Sequence, residues 1–243
     1  MNRAVQMLGR DLKQVGRDPM LVFITVAPFL LVLALKYGVP FLSSLLLAAD
    51  FRLSDHYGIL YGTSILLVPL VIGVMAGLMM LDERDEQLIA YYSVTPLTQK
   101  GYFVHRLTLP TLLSGFYVIL AFYMADFSSW SPLQYGLALL MLLMEGPIMA
   151  LLLVAFASNK VEGLAVSKMG GLMVFIPVLA YLIPEPWSWG AAALPTYWVA
   201  RLFAPPVGMP WNEAKLIGIG LIGIAVHLVY LGWLFKRYVR RIA

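Results

Sequence analysis

The chain reads as an all-α integral membrane protein: six transmembrane helices with an N-terminal interfacial helix, a cytoplasmic coupling helix and a broken external helical hairpin before the last span. Three observations predict this. Hydrophobic residues fill 61% of the 243 positions and charged ones only 12%, with a mean hydropathy of +0.83, a balance that leaves too little polar surface for a soluble domain. Six apolar runs, 19–36, 58–81, 107–125, 133–157, 163–183 and 215–235, each approach the ~20 residues that carry a helix across a bilayer. These runs are continuous, whereas a membrane β-barrel would alternate over ~10-residue segments. No Gly/Ser linker, low-complexity run or evident repeat divides the chain, so 1–243 is read as a single domain.

Lysine and arginine set the expected orientation. Arg3, Arg10, Lys13 and Arg17 precede the first run; Arg84, Lys100 and Arg106 follow the second; Lys160 and Lys168 separate the fourth and fifth; Lys236, Arg237, Arg240 and Arg241 follow the sixth. The other side holds Arg52, Arg201 and Lys215, with Lys36 near a helix end from which it can snorkel. The asymmetry predicts both termini and the 82–106 loop in the cytoplasm, with the chain multi-pass in the cell membrane. On this reading the net charge of +4 serves topology and anionic headgroups rather than nucleic acid. The absence of cysteine excludes disulfide and thiol chemistry.

In residues 1–18, Val5, Leu8, Leu12 and Val15 form an apolar stripe beside Arg3, Arg10, Lys13 and Arg17, the pattern of a helix lying in the interface. Asp18 and Pro19 suit the N-cap and first turn of the span that follows. A signal peptide cleaved near Ala48 and Ala49 is the alternative, but the apolar run is too long for one.

The 82–106 loop is the one long charged stretch between apolar runs. Asp82, Glu83, Asp85 and Glu86 would occupy the first turn of a short helix, where the positive dipole end favours carboxylates. Leu88, Tyr91 and Tyr92 would share one face, and Pro96 would end the helix. A solvated loop with a chance apolar face is the plainer reading.

Glu145 lies midway along the fourth run, where a carboxyl is costly and a functional candidate by default. Met141 and Met149 fall on its face, and Pro147 frees the carbonyl of Leu143 and invites a kink. Either Glu145 is a neutral hydrogen-bonding group that holds the kink, or it contacts cargo or a cation in a cavity. His227, in the sixth run, suits an interhelical hydrogen bond, since no second histidine lies at metal-site spacing and a metal centre is not expected. The 184–213 segment carries Pro184, Pro186, Pro195, Pro205, Pro206 and Pro210 with Trp187, Trp189, Trp198 and Trp211. Prolines break helix and tryptophans prefer headgroup level, so short re-entrant helices are expected, one opening at Pro195 and running through Phe203. There is no G-x-x-x-x-G-K-[ST] phosphate loop and no nucleophile elbow, so the chain is expected to be a non-catalytic subunit that hydrolyses no ATP itself.

Together these pieces resemble the permease subunit of ABC-2-type transporters. The matching segments are LGRDLKQVGRDPMLVFITVAPFLL at 8–31, LDERDEQLIAYYSVTPLTQKGYFVHRL at 81–107 and LPTYWVARLF at 194–203. EGP at 145–147 and SNKVEGLAVSK at 158–168 are similar, more narrowly, to permeases described as fluoroquinolone exporters. The resemblance implies two permease chains, identical or closely related, around a central pathway, and two copies of a separate ATPase subunit that binds ATP and Mg; this chain itself carries no cofactor. It implies that Glu83, Asp85, Glu86, Leu88, Tyr91 and Tyr92 couple to the ATPase, that Met141, Glu145, Met149 and His227 lie along the pathway, and that a small amphipathic, drug-like or lipid-like cargo moves outward. Family members often carry Gly-Thr after the coupling glutamate, where this chain has Gln87 and Leu88. Two other classes remain open: a proton-coupled secondary transporter with Glu145 as relay, which would be expected to show inverted repeats, and a membrane enzyme with Glu145 and His227 as acid and base.

Overall fold

In the computed structural model the described residues are 16, 19–87, 98–125, 130–205 and 211–242. The interfacial helix expected over 1–18 falls almost wholly outside them, as do Leu88, Tyr91 and Tyr92. All regular structure among the described residues is helical: α1 Pro19–Leu33, a π-helical turn Ala34–Gly38, α2 Val39–Leu47, α3 Tyr57–Asp85, α4 Thr98–Met124, α5 Pro132–Phe156, α6 Lys160–Leu182, α7 Pro195–Phe203 and α8 Glu213–Ile242, with 3-10 turns at Leu53–His56 and Trp187–Ala193. Six of the resulting helical segments are long and apolar enough to cross a membrane.

Three boundaries differ from the sequence reading. The first span does not stop at Lys36 but passes through the π-helical turn and on to Leu47, with Gly38 held in helical backbone and Pro40 in the first turn of α2, where its missing amide is tolerated. The third spanning helix starts at Thr98, before the apolar run. The second runs on to Asp85, so Asp82, Glu83 and Asp85 close a spanning helix rather than open a separate one.

At the centre α3 packs on α5, α8 lies against α5, α4 and α6 each touch both central helices, and α1 rests on α3. The α3–α5 crossing is close because Gly73 faces Gly146: a Cβ at Gly73 would collide with the carbonyl oxygen of Gly146. Helix association in lipid relies on van der Waals fit, so small residues mark such crossings.

At its first turn α5 begins with a full capping box. Ser131 Oγ accepts from the Gln134 amide at 3.2 Å, and Gln134 Oε1 accepts from the Ser131 amide at 3.0 Å. The Gln134 Nε2 then donates to the carbonyl of Leu202 at 2.9 Å, tying α5 to the short helix α7. Around this joint Tyr61, Trp130 and Phe203 pack with ring centroids 4.6–5.2 Å apart. Thr196 donates to the Met173 carbonyl of α6 and Trp198 to the Ala192 carbonyl, at 2.9 and 2.8 Å, so these two side-chain donors of the apolar cap are satisfied.

Candidate functional site

The structure brings Glu145 of α5 and His227 of α8 together inside the bundle. His227 Nε2 lies 3.2 Å from Glu145 Oε1, and both residues are 0% exposed. His227 Nδ1 lies 2.7 Å from the carbonyl oxygen of Gly223 one turn earlier. A carbonyl oxygen only accepts, so Nδ1 carries a hydrogen. The Nε2–Oε1 contact then requires one further proton, on either partner, since two lone pairs would repel. Whichever atom holds it, the pair is neutral overall, the condition under which ionisable groups are tolerated at membrane depth. The second carboxyl oxygen, Oε2, is buried without a hydrogen-bond partner among the described residues.

Local sequence explains the approach. Gly223 has no Cβ, and a side chain there would strike Met141 and Trp198, so glycine lets α8 close on α5 and α7. Met141 and Met149 flank Glu145 one turn to either side and are also 0% exposed. All four residues expected along a pathway are therefore buried inside one chain in this structure. Sequence reasoning found both members of the pair but not the pairing, as they lie 82 positions apart. Depth was the available signal: Glu145 is about 16 Å from Phe156 and His227 about 12 Å from Phe235 at ~1.5 Å per residue.

A second constellation gathers where α3 ends. The negative end of a helix dipole disfavours carboxylates, and each one here has a compensating partner. Glu83 pairs with Arg106 of α4 at 2.9 Å, with both side chains nearly buried, and accepts from the Tyr102 hydroxyl. Asp82 pairs with the Lys160 ammonium at 2.7 Å. Asp85 accepts from the backbone amide of Lys160 at 3.2 Å, so it sits at the N-terminus of α6, where a carboxylate is favoured. Between them Arg84 donates to the carbonyls of Val154 and Ala157 at the end of α5, at 3.3 and 2.5 Å. Arg237 and Arg241 of α8 donate to the Ala155 carbonyl at 3.3 and 3.0 Å. The last turn of α3 is thus bonded directly to α4, α5 and α6, and α8 joins through Ala155. Glu86 is exposed, and Gln87 adopts φ 58°. That left-handed backbone favours glycine, and position 87 is where the ABC-2 resemblance leads one to expect it.

Glu83 and Asp85 are therefore found at a junction of helices and Glu86 is exposed just past the end of α3, while Tyr102, Arg84 and Arg106 are partners the sequence reading missed. Arg84 and Arg106 stood out there only as topology signals. Their spacing from the acidic residues along the chain carries no sign of contact across helices.

This architecture is that of a six-span, all-α integral membrane protein with a neutral polar pair at its centre and a charged junction at one end. The family model described as fluoroquinolones export permease protein Rv2686c-like matches residues 11–235, and the chain belongs to that family. Curated relatives include the fluoroquinolones export permease proteins MT2760 and Rv2686c of Mycobacterium tuberculosis, strains CDC 1551 / Oshkosh and ATCC 25618 / H37Rv. Each is 28% identical over 249 residues, covering 97% of this chain and 94% of the relative. The chain is accordingly a multi-pass membrane permease.

Proposed function

We propose that this permease is the membrane subunit of an ATP-driven ABC exporter for a small amphipathic compound of the fluoroquinolone type. Two permease chains would assemble with two copies of a separate ATPase, which binds ATP and Mg, with both termini of each permease in the cytoplasm. The observation that carries this reading is the charged junction. The chain leaves α3 at Asp85, and the last turn of that helix is bonded to α4, α5 and α6. A push delivered to the 88–97 segment by a closing ATPase would reach four spanning helices through hydrogen bonds and ion pairs. The names of the relatives support export and the cargo class.

On this mechanism the Glu145–His227 pair holds α5 to α8 while the pathway is shut. Rocking of the spans would separate the helices and expose Met141, Met149 and the pair to cargo. Leu88, Tyr91 and Tyr92 would insert into the ATPase, and truncating a buried aromatic anchor of that kind costs about 2 kcal/mol or more. The test is Leu88→Ala with Tyr91→Ala, assayed for membrane insertion, copurification with the ATPase and drug export. Loss of export from a folded, inserted permease is expected. Normal export with intact copurification would remove the coupling role.

The one-proton pair favours a second reading, a proton-coupled carrier with Glu145 as relay. Export from proteoliposomes driven by a proton gradient without ATP would establish it in place of the first.

A further inference from the structure

At the Ile242 end of α8, Phe156, Trp233, Lys236, Arg237, Arg240 and Arg241 line a cavity of about 580 Å³. We propose that this cavity binds the phosphate of an anionic phospholipid whose acyl chains lie along α8. The proposal stands apart from the ATP-driven reading, since it needs neither ATPase nor cargo.

Four cations crowd two successive turns of one helix, and like charges at this spacing repel. Arg237 and Arg241 are partly satisfied by the Ala155 carbonyl, with Arg241 also donating to Ser158 Oγ. Lys236 and Arg240 are exposed and have no ion pair among the described residues. Glu162, a nearby carboxylate, is engaged by the Ser158 amide at 2.6 Å. A cavity so lined favours an anion with several acceptor oxygens.

The apolar side of the cavity argues for a lipid as its source. The Arg237 guanidinium stands 4.2 Å over the Phe156 ring, Phe156 lies 6.0 Å from Trp233, and Trp233 lies 6.2 Å from Tyr230. From there Val229 and Ile222 continue an exposed strip along α8 toward the membrane interior. An aromatic shelf below a basic cluster is the arrangement that seats a headgroup at the interface and leaves a track for the chains.

The test uses the purified full chain in uncharged detergent, titrated with phosphatidylglycerol, phosphatidylcholine, glycerol phosphate and inorganic phosphate. Bound lipid is read by native mass spectrometry and the unfolding temperature is recorded. Phosphatidylglycerol alone should be retained and raise the unfolding temperature. Lys236→Gln with Arg240→Gln should weaken its binding roughly 10- to 30-fold, whereas Arg52→Gln at the opposite end should leave it unchanged. Trp233→Ala, which keeps all four charges, should also weaken it. Equal stabilisation by inorganic phosphate or glycerol phosphate would overturn the lipid assignment in favour of a soluble phosphate. Indifference of the double variant to phosphatidylglycerol titration would overturn the site. Loss of copurification with the ATPase in that variant, without loss of lipid, would assign the cluster to a protein partner instead.

Discussion

One end of the bundle is closed by rings and the other by charges, and the two closures suit opposite tasks. Around Tyr61, Trp130 and Phe203 the contacts are aromatic, and the hydrogen bonds of Gln134, Thr196 and Trp198 end on backbone carbonyls. Such packing is dense and tolerates little displacement. At the end of α3 the contacts are Glu83–Arg106, Asp82–Lys160 and the fan of Arg84, Arg237 and Arg241 onto the end of α5. Of these, the partly exposed Asp82–Lys160 pair can exchange partners with water or with another protein at small cost, whereas the nearly buried Glu83–Arg106 pair moves only as a unit. On the proposed mechanism the aromatic cap would serve as the fulcrum and the charged junction as the end that moves.

The largest effect should come from the fulcrum. Phe203 is 1% exposed and meets Tyr61 and Trp130 edge-on at 5.2 and 5.0 Å. Phe203→Ala opens a cavity that neighbouring rings cannot fill, and we expect a loss of about 3 to 5 kcal/mol, read as a lowered unfolding temperature in detergent. A loss below about 1 kcal/mol would mean that the aromatic end is loosely packed and the contrast between the ends is false.

The junction can be probed through Arg106, only 6% exposed at its side chain beside Glu83 at 12%. Arg106→Gln leaves a nearly buried carboxylate at an unfavourable helix end, a change expected to cost about 3 kcal/mol. Glu83→Gln combined with Arg106→Gln removes both charges, and most of that stability should return. Export should not return if the pair transmits motion. Recovery of export together with stability would show that the pair is purely structural. Lys160→Gln, by contrast, touches an ion pair about one-third exposed on each side and should shift stability by no more than ~1 kcal/mol.

How much of this was legible in the sequence follows from what each signal measures. Apolar run length reports bilayer crossing directly, so six helices could be read from hydropathy, and Pro195 with its tryptophan neighbours announced α7. The junction at Asp82 to Asp85 was not legible in the same way. A cluster of acids looks like a helix N-terminus when only the dipole is considered, and the deciding term here is pairing with Arg106 and Lys160, which belong to other helices. Lys36 was likewise misplaced as a helix end, because a π-helical turn leaves the apolar run unbroken. At the junction the reading failed because contacts between helices set the outcome, and at Lys36 because a local change of helix type let the span run on.

Between fulcrum and junction stands the Glu145–His227 pair, and its proton count gives the last and smallest test. With Nδ1–H committed to the Gly223 carbonyl, a neutral His227 presents Nε2 as an acceptor. Glutamine at 145 can donate its amide to that nitrogen, so Glu145→Gln should keep the α5–α8 contact and change stability by less than about 1 kcal/mol. Leucine at 145 has no donor and leaves the imidazole Nε2 unpaired in a dry interior, a loss of about 1 to 3 kcal/mol. The two variants also divide the functional readings. Export that survives in Glu145→Gln and falls in Glu145→Leu makes the pair a neutral tie between helices, released when the junction moves. Export abolished by Glu145→Gln in a protein of unchanged unfolding temperature would instead require the carboxyl's own proton or charge. That result would move the working part of the molecule from its charged end to its centre.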